Sequence, residues 1–182
     1  MTKKLKKKKN VDYKWMLTIT ILAFVISFVF SLICELTLPN AGVVLGVILV
    51  FIFIFLGILF DIIGVAVSTA EEKPFHSMSA QKVKGAKTAV MLKRNASKVS
   101  SFCNDVIGDI CGIISGSAGV TIALAVANVL NISLMIVTLI VTAIIAALTI
   151  GGKAAGKGFA MTKSNDILFA FAKVISFFRR EK

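Results

Sequence analysis

The stretch GVVLGVILVFIFIFLGILFDIIGVAVST, Gly42–Thr69, contains a single ionisable side chain, Asp61. A helix needs roughly 20 predominantly apolar residues to cross the hydrocarbon core of a bilayer. This stretch exceeds that and reads as a transmembrane helix. The same measure sorts the rest of the chain. Trp15–Thr37 qualifies, with only Glu35 charged near its end. Phe102–Ala127 is apolar but carries Asn104, Asp105 and Asp109, and Ser133–Ile150 is uncharged and just long enough. Leu38-Pro39-Asn40-Ala41 joins the first pair as a tight turn, and Asn128-Val129-Leu130-Asn131 joins the second. The expected fold is an all-α membrane protein of four transmembrane helices in two hairpins, with amphipathic juxtamembrane helices on the cytoplasmic side. The first helix is too long for the apolar core of a cleaved signal peptide, and no small-residue cleavage site follows before Pro39, so it is expected to be retained.

Composition supports this reading. Of 182 residues, 57% are hydrophobic and 16% charged, and the mean hydropathy is +0.92. Soluble domains run nearer half apolar and a quarter charged. The net charge of +12 would suit a nucleic-acid binder, but not in combination with this hydrophobicity. Disorder is excluded by the same excess. Three cysteines make no disulfide framework, and a single histidine, His76, argues against a His-rich metal site or a Ser-His-Asp hydrolase.

The basic residues set the orientation. Seven precede the first helix (Lys3, Lys4, Lys6, Lys7, Lys8, Lys9, Lys14) and seven lie between the second and third (Lys73, Lys82, Lys84, Lys87, Lys93, Arg94, Lys98). The last seven, Lys153, Lys157, Lys163, Lys173, Arg179, Arg180 and Lys182, follow the fourth apolar run. All 21 therefore fall on one side, which the positive-inside rule makes cytoplasmic. The expected location is the plasma (inner) membrane, with both termini inside. Three regions follow: a polybasic segment 1–14, a transmembrane domain 15–151 containing a helical loop 70–100, and a basic tail 152–182. The N-terminal lysines orient the first helix and attract anionic headgroups, at about 1 kcal/mol each near the surface. No nucleic-acid partner is expected.

From Ser79, Ala80, Val83, Ala86, Ala89, Val90 and Leu92 recur at spacings of three and four, with Lys82, Lys84, Lys87, Lys93 and Arg94 opposite. This predicts a basic amphipathic helix along the headgroups; a partner-binding helix is the other use of such a face. Asp166–Phe178 lines up Ile167, Leu168, Phe171, Val174, Ile175 and Phe178. It is too short to span and is expected in the interface.

Two motif lookalikes fail. Gly151-Gly152-Lys153-Ala154-Ala155-Gly156-Lys157-Gly158 approaches a phosphate-binding loop, but Gly158 stands where a Ser or Thr must reach the metal, and no short strand precedes it. Asn131-Ile132-Ser133 is formally a glycosylation sequon, but it sits where a cap for the fourth helix is needed.

Charges inside the spans are costly and mark functional sites. Asp61 lies deep in the second helix. Asp105 and Asp109, four apart, share a face of the third, with Asn104 beside them. Gly108, Gly112 and Gly116 on that helix form a small-residue seam that admits a close neighbour. Asp61 and Asp109 are expected to face each other, and Lys153, on its flexible stem, is the candidate charge partner.

These features, in this order, resemble the transmembrane domain of the CNNM/CorC (cyclin M-like) magnesium transporters. Phe60-Asp61-Ile62-Ile63-Gly64-Val65-Ala66-Val67-Ser68-Thr69 looks like that family's broken Ser-Gly-Ser-Glu-Thr-Ala stretch. Ala86-Lys87 to Leu92 is similar to its juxtamembrane helix, and Val106-Ile107-Gly108-Asp109-Ile110 to its Ile-Gly-Asn-Asn element. Gly152-Lys153-Ala154-Ala155-Gly156-Lys157 resembles its Gly-Glu-Ile-Ile-Pro-Lys element. The resemblance covers roughly residues 45–178. It implies a homodimer and a Mg2+ site drawn from Asp61, Asp109, Asn104 and Asp105. The departures are Asp61 and Ile63 for the two serines, Asp109 for the first Asn, Lys153 for the Glu and Gly156 for the Pro. The family's CBS domains are absent and an extra N-terminal helix is present. Two functions follow: a divalent-cation transporter, or a non-transporting membrane interaction protein that keeps the fold. No nucleophile–base pair can be assembled from these residues, so an enzyme is not expected.

Overall fold

The computed structural model describes residues 13–178, with the backbone alone at 38–41. Helical hydrogen bonding runs from Tyr13 to Thr69, but Gly42 breaks it with φ 69° and ψ 164°. Only glycine adopts that conformation without strain. It divides the segment into α1 (Tyr13–Thr37) and α2 (Gly42–Thr69). The rings of Phe30 and Phe53 meet edge to face at 6.0 Å. A straight helix would hold them roughly 35 Å apart at 1.5 Å per residue, so the two helices form a hairpin. Its break falls at Gly42, just after the expected turn.

Three short helices follow: α3 (Lys73–Ala80), α4 (Ala86–Arg94) and α5 (Ala96–Ser101). Pro74 stands in the first turn of α3, where its missing N–H costs nothing. Lys82 (φ 57°) and Gly85 (φ 87°) are left-handed. They interrupt the amphipathic helix read from Ser79, so its register starts afresh at Ala86. The third span is a composite. α5 passes into a π-helical turn, Phe102–Gly108, and then into α6 (Asp109–Leu130). Asn131, left-handed at φ 53°, ends α6. α7 (Leu134–Thr162) returns and is followed at once by α8 (Ser164–Phe178). The glycine-lysine run 151–158 is the interior of α7, extended well past Ile150.

Four helices, α1, α2, the Ala96–Leu130 composite and α7, are long and apolar enough to cross a membrane. None of the most apolar stretch of α1 is buried, against 44% of that of the third span. The composite helix is thus the axis, and α1 is a peripheral arm lying on it through Ile19, Ala23 and Ile26. Val50, Ile54, Ala118, Ile122 and Ile145 join α2, α6 and α7. Many large apolar side chains point outward, Phe24, Phe55 and Leu139 among them, as a lipid-facing surface requires.

The amphipathic juxtamembrane helices also pack on protein. Val67, Ala70, Phe75, Ala89, Val90, Leu92, Leu168 and Ala172 form one core at the basic end of the bundle. α4 is buried on most of its surface, and α8 turns Leu168 and Ala172 inward while leaving Val174 and Phe178 outside. The single face read on α8 is therefore split. These helices pack on each other and on the end of α2 as a helical cap, because Ala86, Ala89 and Ala172 let the backbones approach.

Candidate intramembrane polar site

Two faces of α2 are gripped by glycine contacts. A Cβ at Gly57 would stand 3.1 Å from Cys111 Cβ and 3.3 Å from Gly108 O, and a Cβ at Gly64 would overlap the Asn104 side chain. On the adjacent face, Gly152 and Gly156 of α7 receive Ile58 and Ile62. Asp61 follows Gly57 by four residues and precedes Gly64 by three. Helix geometry places it on the face turned to the π-helical turn.

There Asp61 is only 5% exposed. Its Oδ2 and the Oδ1 of Asn104 are both buried without a hydrogen-bond partner. The Asn104 amide N–H₂ reaches Ser100 Oγ at 3.5 Å. Two unmatched acceptors thus share one tight interface. A buried acceptor left unsatisfied costs about 1–3 kcal/mol, and more when charged. A cation or a bridging water would satisfy such acceptors.

Lys153 serves a different carboxylate. Its Nζ donates to Gly108 O and to Asp109 Oδ1, each at 3.3 Å. The lysine side chain is 19% exposed and that of Asp109 64%. Lys153 thus reaches inward from α7, as its stem allows. Asp61 and Asp109 share no partner, and Asp105 and Asp109 are both exposed. Among the described residues, no three His, Cys, Asp or Glu side chains converge as a metal site. The candidate residues divide into a buried pair, Asp61 with Asn104, and an ion pair, Asp109 with Lys153, with Asp105 outside both. Glu35 lies elsewhere, on a groove of about 570 Å³ at the opposite end with Thr121 and Asn128.

Sequence reading missed three features. The π-helical turn has no compositional signature; polar Asn104 and Asp105 in a span were its only trace. Such turns recur at functional sites. Lys93 Nζ donates to Val67 O and Ser68 O at 3.2 and 2.8 Å, satisfying carbonyls at the end of α2. Glu72 bonds Arg94 Nε at 3.0 Å and His76 Nε2 at 2.8 Å. The Arg94 bond, then that of His76, holds the Glu72 carboxyl below the usual range.

No family model matches the chain, and no curated protein or solved structure matches it either. Its class rests on its own architecture. With four helices long and apolar enough to cross a bilayer, the chain has the build of a multi-pass membrane protein.

Proposed function

We propose that this protein is a cation-handling membrane protein of CNNM/CorC-like build, with Asp61 and Asn104 supplying the oxygens that meet the ion. The observation behind this reading is the pair of unmatched acceptors, Asp61 Oδ2 and Asn104 Oδ1, enclosed where α2 meets the π-helical turn. A protein with no use for a cation there gains nothing from an unpaired carboxylate in a span. Mg2+ is the ion that the family resemblance suggests, and it prefers one or two carboxylates plus retained waters. The protein sits in the inner membrane with the cap and both termini cytoplasmic, a placement supported by all 21 Lys and Arg residues falling on one side. Gly112 and Gly116, where an added Cβ would meet nothing within 4 Å, leave an open face for a second copy.

The Lys153–Asp109 ion pair favours a second reading, in which a tethered ammonium has taken the cation's place and the fold persists as a non-transporting interaction subunit. Cation flux into proteoliposomes separates the two. Mg2+ uptake by the wild-type chain, lost in Asp61→Asn, supports the first. Absence of flux for Mg2+, Na+ and protons alike supports the second.

A further inference from the structure

The exterior of the cap carries a feature that the intramembrane site does not use. Leu168 and Ala172 of α8 are fully buried, with Ile175 packed against the same core. Ala170, Val174, Phe177 and Phe178 recur at positions i, i+4, i+7 and i+8, the spacing of a second apolar stripe. This stripe is uncovered: Val174 is 57%, Phe177 84% and Phe178 83% exposed. Beside it stands a basic turn. Gly85, left-handed at φ 87°, lies so close to α8 that an added Cβ would be 3.2 Å from Lys173 Cα. That contact docks the turn between α3 and α4 against the middle of α8. It brings the turn that carries Lys82, Lys84 and Lys87, all exposed, up to Lys173. Lys173 rests over the Phe169 ring at 4.9 Å. Neither Lys82, Lys84 nor Lys87 has an acidic partner among the described residues.

The start of α8 is tied to the end of α2. Asn165 Oδ1 accepts the Glu71 N–H at 2.9 Å, which holds α8 level with the end of α2, where that span leaves its apolar stretch. An uncovered apolar stripe and a neighbouring cluster of lysines, on a helix whose start is bonded to the end of α2, match the two halves of one ligand. We infer that this corner is a binding site for an anionic phospholipid. The acyl chains lie on Val174, Phe177 and Phe178, and the phosphate is held by Lys82, Lys84, Lys87 and Lys173. A zwitterionic lipid lacks the net charge that the lysines select, and each lysine near an anionic surface favours it about five-fold.

The test uses the full chain carrying Trp15→Phe and Phe177→Trp, so that the only tryptophan reports from the stripe; position 177 is exposed and tolerates the change. The protein is reconstituted in phosphatidylcholine vesicles containing a minor fraction of brominated phosphatidylglycerol or, separately, brominated phosphatidylcholine. Fluorescence quenching by the brominated phosphatidylglycerol should exceed that by brominated phosphatidylcholine at least about five-fold in apparent affinity. Lys82→Gln, Lys84→Gln, Lys87→Gln and Lys173→Gln together should equalise the two lipids. Equal quenching by both before the lysines are changed overturns the site, since the stripe is then ordinary lipid contact. Absence of quenching by either also overturns it, pointing to a second protein copy on the stripe. Because the readout is independent of ion movement, it fails or succeeds separately from the cation reading.

Discussion

Lys153 Nζ stands 3.3 Å from Asp109 Oδ1 and 3.3 Å from Gly108 O, so one ammonium ties α7 to the junction of the π-helical turn and α6. The opposing helix, α2, brings its own carboxylate, Asp61, to the same turn without a partner. The ion pair and the lone acid are therefore separate elements, and substitutions should distinguish them.

Lys153→Met leaves Asp109 without its cation and Gly108 O without its second donor. Because Asp109 is largely exposed, the loss should be at most about 1 kcal/mol. Asp109→Asn in the same chain should recover most of that loss. A double-mutant cycle by thermal unfolding in detergent measures the coupling; additive effects of the two changes would remove the pair from the argument.

Asp61→Asn should behave in the opposite sense. Removing a buried, unpaired carboxylate should stabilise the protein by about 1–3 kcal/mol, while abolishing any cation-dependent rise in melting temperature. Melting curves with and without Mg2+ or Na+ report both effects. A fall in stability without added cation would show that the carboxylate has a partner in the apo protein.

The glycines should differ in a way that spacing alone does not suggest. Gly64→Ala pushes a methyl group into the Asn104 side chain and should cost about 1–3 kcal/mol through overpacking. Gly112→Ala meets open space within the chain and should be neutral or gain up to about 1 kcal/mol of helix propensity. A large loss at Gly112, accompanied by a smaller particle in size-exclusion chromatography, would place a second copy on that face.

The cap should fail independently of the spans. Phe75 is 1% exposed within the cap core, and Phe75→Ala should cost about 3–5 kcal/mol there. Limited trypsin digestion should then cleave rapidly around Lys82–Lys87 while the membrane-embedded fragments stay intact.

Acid should loosen the same cap. The Glu72 carboxyl is held low by Arg94 and His76, so its contribution is present above the ordinary carboxylate range. It is lost as pH falls through the lowered value. The pair is exposed and its effect small. Cap proteolysis rates should rise with falling pH in the wild type, and Arg94→Gln should flatten that dependence.

The four apolar spans were legible from the sequence alone. Span length and net charge are sums over a segment, and they need no knowledge of what the segment touches. Gly42–Thr69 could be read this way. The partners of Asp61, Asp109 and Lys153 depend on how each helix is rotated about its axis, and a π-helical turn at Phe102–Gly108 resets that rotation within one span. The same holds for the cap. Periodicity marked α8 as amphipathic, but an almost wholly apolar helix offers two faces. Only the packing of Leu168 and Ala172 on the cap core decided which face is covered. It was the tertiary contacts that set the lone carboxylate apart from the ion pair, because a helix spacing restricts which residues share a face without stating what stands opposite.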